Sequence, residues 1–125
     1  VDGTDILNIS GAVSAPSGTV NIRTPGSISQ SQQVSSGAAG DSIVLSAGTN
    51  YFNTAGATGL SATHASGRWL VYLSSPSGNN FGGLNSVNSA VWNSTYALNP
   101  PGTLPAGNRY AFALAPTVNV WPRTV

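Results

Sequence analysis

The chain carries few residues able to do bond-breaking chemistry. There is one histidine, His64, three acids (Asp2, Asp5 and Asp41) and no cysteine. His64 is the only side chain placed by its ordinary pKa to act as a general base near neutrality. With Asp41 and one of many serines it could formally assemble a nucleophilic triad, which is defined by geometry and not by order along the chain. The surrounding Ala62-Thr63-His64-Ala65-Ser66 reads instead as a polar loop. It has no Gly-x-Ser-x-Gly elbow. A glycosidase needs two carboxyls about 5–10 Å apart, and two of the three acids stand at the extreme N-terminus. Asp2-Gly3-Thr4-Asp5 offers two carboxylates to a hard cation, well short of the roughly 6–8 oxygens calcium takes. The reading is therefore no enzyme, no catalytic residues, no metal and no cofactor.

Binding chemistry is better represented. Eight aromatics fall in the second half: Trp69, Tyr72, Phe81, Trp92, Tyr96, Tyr110, Phe112 and Trp121. Aromatic faces flanked by amides suit sugars, because ring C–H faces stack while amides bond hydroxyls. Trp92, Asn93 and Tyr96, with Asn79 and Asn80, form the best such group. Arg68 joins them as a candidate ligand contact. Its leading reading is nevertheless structural, stacking on an aromatic or bonding carbonyls at a strand end, and Arg109 beside Tyr110 reads the same way. Trp69, Tyr72 and Phe112 are equally suited to fill a core.

Composition narrows the classes further. The chain has 125 residues, a net charge of +1 and only 6% charged side chains, with 18 Ser, 11 Thr, 12 Asn and 15 Gly. That charge cannot supply the cationic stripe a nucleic-acid binder needs. Zinc and iron–sulfur sites lack thiolates. Helix bundles need charged wet faces that are missing here. No apolar run is long enough to span a bilayer as a helix. At 40% hydrophobic, the chain can still build a core.

The elements that must position these residues are β-strands. Short alternating runs occur at 6–9, 18–22, 26–30, 41–46 and 51–52, set between Gly, Ser and Pro. Further runs lie at 68–73, 90–93, 96–98, 108–114 and 117–121. Val20-x-Ile22 recurs as Ile43-x-Leu45, and Leu7-x-Ile9 is similar to both. Stacked coils of roughly 20 residues would bury such strands. An antiparallel β-sandwich with short turns is the alternative. Near-absence of charge suits stacking: hydroxyls and amides can form ladders about 4.8 Å apart, where like charges would repel.

One resemblance bears on this choice. Gly67-Arg68-Trp69-Leu70-Val71-Tyr72, then Ser74-Ser75-Pro76, Gly82-Gly83-Leu84 and Gly107-Asn108-Arg109-Tyr110 through Ala115-Pro116, resembles filamentous-haemagglutinin-type exoproteins. These are bacterial surface adhesins exported by two-partner secretion. The resemblance covers roughly residues 17–116. It implies an all-β fold of short right-handed parallel β-helix coils over residues 1–65. An aromatic-rich β cap over 66–125 completes one continuous domain. It also implies a secreted module at the bacterial cell surface, adhesive or structural. The expected partner is a host-surface glycan or protein receptor, or identical subunits end to end in an extracellular filament; a glycan-binding lectin module is the third reading. It supplies no catalytic residue.

Overall fold

The structure is a computed structural model and describes residues 5–115. Asp2 and the sequence-expected strand at 117–121, with Trp121, lie outside the described residues. The fold is all-β, and every strand pairing is parallel. An antiparallel sandwich is therefore not the arrangement found. Successive strands visit three sheets in rotation. β1 (Ile6–Ile9), β4 (Ser27–Gln30) and β7 (Tyr51–Asn53) form the first; β2 (Val13–Ala15), β5 (Val34–Ser36) and β8 (Leu60–Ala62) form the second. The third is ordered β10-β9-β6-β3, from β3 (Val20–Thr24), β6 (Gly40–Ala47), β9 (Gly67–Leu73) and β10 (Arg109–Phe112).

Register carries the repeat seen in the sequence. Val20 lies opposite Ile43 and Ile22 opposite Leu45. Leu7-x-Ile9 belongs elsewhere: Leu7 pairs with Ile28, in a different sheet from Val20 and Ile22. The second sheet has its own recurrence of apolar, serine, small. Val13, Val34 and Leu60 stack, as do Ser14, Ser35 and Ser61. Three-residue strands are too short to show alternation, which is why this sheet is not evident from periodicity.

Inner side chains stack into one core, including Ile9, Ile28, Val34, Ile43, Leu45, Tyr51, Trp69 and Val71. Polar residues enter it only with partners. Buried Gln30 accepts from the Tyr51 hydroxyl and donates Nε2 to the Gly59 carbonyl at 2.6 Å. Buried Asn53 donates to the carbonyls of Gly56 and Phe81 and accepts from the amides of Ala55 and Gly56. An unpaired amide in such a core would cost about 1–3 kcal/mol. Where the chain turns between sheets, one segment lies directly against another. A Cβ on Gly26 would stand 1.9 Å from the Asp5 carbonyl oxygen, on Gly37 2.0 Å from that of Pro16, and on Gly48 2.2 Å from that of Pro25. Only glycine fits these corners.

Residues 84–108 leave the strand rotation. Val91 forms a parallel bridge to Ala111, on the edge of β10 that β9 leaves free. The rest crosses the outer face of the third sheet and covers Val44, Leu70 and Tyr72 with Leu104, Val91 and Tyr96. The expected strands at 90–93 and 96–98 thus reduce to that one bridge and a turn, in which Thr95 accepts from the amides of Leu98 and Asn99. Trp69 and Tyr72 are both buried, but three residues apart on a strand they face opposite ways. Trp69 lies in the inner core and Tyr72 under the covering segment.

Candidate ligand-binding site

Arg68 is held by the fold itself. A bulge at Ser42 shifts the β6–β9 register, so that Asp41 pairs with Arg68 and Ile43 with Trp69. Without that extra residue Asp41 would share the inward face of Ile43; the bulge re-aims it outward. Arg68 Nε then donates to Asp41 Oδ1 at 2.6 Å, with side chains 12% and 32% exposed respectively. Nη2 donates to the carbonyls of Pro101 at 2.7 Å and Leu104 at 3.4 Å. Nη1 donates to those of Pro105 and Gly107. The guanidinium fork therefore clamps the 3-10 turn Pro101–Thr103 and the loop after it to the strand edge. Arg109 does the same on a smaller scale, with Nε to Ala106 and Nη1 to Ser89. Arg68 is an internal tie in this geometry, with its donors engaged.

Tyr96 sits at the far end of the same strand face. Its ring lies against Tyr72, centroids 5.4 Å apart, and the Arg23 guanidinium carbon stands 3.8 Å from its centroid. Its hydroxyl accepts from Asn21 Nδ2 at 3.0 Å. Arg68 and Tyr72 are four residues apart on β9, so Tyr96 and Arg68 are separated by about 13 Å along the strand. They do not converge on one ligand. Asn21 and Arg23 are the contacts that sequence reasoning missed. Their signal was present: both lie on the polar face of an alternating strand. A cleft of about 180 Å³ beside Tyr96 is lined by Ser46, Tyr72, Ser74, Ser94 and Thr95.

Trp92 is the aromatic left open. It is 39% exposed and stacks on Phe112 at 5.1 Å and 21°. One face is thus covered and the other is presented outward. Beneath it Phe112, Tyr110, Phe81 and Trp69 form a continuous ring cluster that closes this end of the core. Asn93, next to Trp92, is exposed and adopts a left-handed backbone with φ 55°, a conformation asparagine tolerates better than most residues. Asn79 is occupied: it accepts from the Tyr51 amide and donates to the Ser75 carbonyl. Asn80 receives the Gly82 amide. Of the sequence-expected group, Trp92, Asn93 and the exposed side chain of Asn80 keep groups available to a ligand.

His64 and Ser66 share a tight turn, in which the Ser66 amide donates to His64 Nδ1 at 3.0 Å. Asp41 is engaged by Arg68, so the three do not form a relay. Among the described residues, no group of three His, Cys, Asp or Glu could hold a metal, and no helix is long and apolar enough to cross a membrane. Burial raises the Tyr51 and Tyr110 phenols well above their ordinary range. It pushes Tyr72 up to about 12, assisted by the nearby Asp41 charge. Comparison with protein-family models, with curated proteins and with solved structures yields no match.

Proposed function

We propose that the chain is a parallel β-helix module of a secreted bacterial surface adhesin of the filamentous-haemagglutinin type, binding and building rather than catalysing. The observation that carries this reading is the fixed rotation of strands through three parallel sheets, with like residues in register. Such a rotation is what a chain wound into coils produces. The Gly67–Tyr72 block and the segments after it supply the resemblance to the adhesins, and in this fold they form the last long strand and the aromatic closure of the core. A right-handed winding with a C-terminal cap is part of the same proposal.

Recognition belongs at the closed end, on the free face of Trp92 beside Asn93. An exposed indole backed by Phe112 offers a rigid platform with little ordering cost, the chemistry a glycan ring or an apolar receptor side chain selects. The test is binding of the folded chain to a glycan array and to host-cell surfaces, with Trp92→Ala and Trp92→Leu beside it. Binding that falls at least about tenfold in both variants supports the reading; a folded chain that binds nothing removes it.

A further inference from the structure

Asn99-Pro100 is the only Asn-Pro pair in the chain, and it stands just before the turn that Arg68 clamps. The peptide bond between them is held from both sides. Upstream, the Asn99 carbonyl accepts from the Tyr72 hydroxyl at 2.6 Å. The Asn99 amide donates to the Thr95 carbonyl at 2.7 Å, and Asn99 Oδ1 accepts from the Thr95 amide at 3.3 Å. Among the described residues, none bonds Asn99 Nδ2. Downstream, the Pro100 carbonyl accepts from the Thr103 amide at 2.9 Å and from its hydroxyl at 2.7 Å. Asn99 is half-buried and Pro100 exposed.

An asparagine within a chain can react in two ways. Commonly the N–H of the next residue attacks the side-chain Cγ, ammonia leaves, and deamidation follows. Proline has no N–H, so Pro100 closes that route. The other route is attack by Asn99 Nδ2 on the carbonyl carbon of its own residue. Negative charge then develops on the Asn99 carbonyl oxygen, where the Tyr72 hydroxyl already donates. A hydrogen bond accepted by Oδ1 favours loss of a proton from Nδ2, and the deprotonated amide is the form that attacks. Tyr72 keeps its own proton through the neutral range, because burial pushes it up to about 12.

We propose that Asn99 cuts the chain at its bond to Pro100, with Tyr72 as the donor to the developing oxyanion. Nδ2 forms a bond to the Asn99 carbonyl carbon. The bond from that carbon to the Pro100 nitrogen breaks, and the proton lost from Nδ2 ends on that nitrogen. The step consumes no co-reactant. The upstream piece ends in a succinimide, and the downstream piece begins at Pro100 with a free amine. The reaction occurs once per chain, so it is self-processing and not turnover of a substrate. It stands whether or not the module is adhesive. β10 stays paired with β9, and Arg68 keeps the carbonyls of Pro101 and Leu104, so the two pieces remain together after the cut.

Mass spectrometry of the purified chain, incubated and then denatured, tests it. At early times the wild type should release residues 1–99, one water lighter than a hydrolytic fragment, and residues 100–125 intact. Cutting should be faster near about pH 9 than near about pH 6, because Nδ2 must give up a proton. Tyr72→Phe should slow it at least about tenfold, and Asn99→Ala should abolish it. Pro100→Ala restores the N–H and should divert Asn99 to deamidation without a cut. If Tyr72→Phe does not fold, wild type unfolded in urea takes its place, and should cut at least about tenfold more slowly than the folded chain. A chain that stays whole, a cut end that carries the water of hydrolysis from the first time point, or a rate indifferent to loss of the Tyr72 donor would overturn the proposal.

Discussion

Arg68 Nε meets Asp41 Oδ1 at 2.6 Å, across neighbouring strands, only because a bulge at Ser42 turns Asp41 to the outer face. The same guanidinium holds the carbonyls of Pro101, Leu104, Pro105 and Gly107. Arg68→Lys keeps the charge but loses the planar fork. It should cost about 2 kcal/mol in urea unfolding, since hydrogen bonds to charged groups contribute about 1.5–3 kcal/mol. Amide hydrogen exchange should accelerate over residues 99–108 more than in β6. Equal protection in that segment would show that the clamp is dispensable.

The glycine corners make a sharp contrast. Gly37→Ala and Gly48→Ala would drive a Cβ into the backbone carbonyls of Pro16 and Pro25. Each should destabilise by about 1–3 kcal/mol, the range of overpacking in a tight site. Gly11→Ala meets nothing within 4 Å and should leave the thermal midpoint within a degree or two of wild type. Indifference to all three substitutions would contradict the stacking of these corners.

Buried Gln30 and Tyr51 form a pair that should be measured together. Tyr51→Phe leaves Gln30 Oε1 without its donor and should cost about 1–3 kcal/mol. Combined with Gln30→Met, the double variant should lose less than the two single losses added. A double-mutant cycle in urea would give that coupling; strict additivity would mean the bond contributes nothing.

Stability should fall at alkaline pH. Tyr72 is pushed up to about 12, and Tyr51 and Tyr110 are raised well above the ordinary phenol range, chiefly by burial. An unfolded tyrosine releases its proton near pH 10. The folded state then binds more protons than the unfolded state, so unfolding becomes easier as pH rises above about 10, while the buried phenols contribute fully below it. Denaturant midpoints should be insensitive to these groups up to about pH 9 and drop between about 10 and 12. A flat profile through pH 12 would contradict the burial of these rings.

Much of the fold was legible in the residues, and the reasons for the rest are local. Val20-x-Ile22 and Ile43-x-Leu45 announced one pairing because both strands are long enough to alternate. Val13-Ser14-Ala15, Val34-Ser35-Ser36 and Leu60-Ser61-Ala62 hid a whole sheet in three-residue strands; their shared pattern emerges only once they are stacked. The bulge at Ser42 has no sequence mark, so the partner that places Arg68 could not be assigned from spacing. Tyr96 lay within an apparent strand, yet Thr95 caps a turn there and sends the ring to Arg23 and Asn21. Trp92 and Asn93 were legible as an aromatic beside an amide; that Phe112 covers one indole face and leaves the other open was not.

Binding through the open face of Trp92 is measured most directly by glycan-array and host-cell binding of the folded wild type, Trp92→Ala and Trp92→Leu. The account predicts a binding signal that both variants reduce at least about tenfold while circular dichroism stays unchanged. A folded wild-type chain that binds no glycan and no cell surface, or variants that bind as the wild type does, would contradict it.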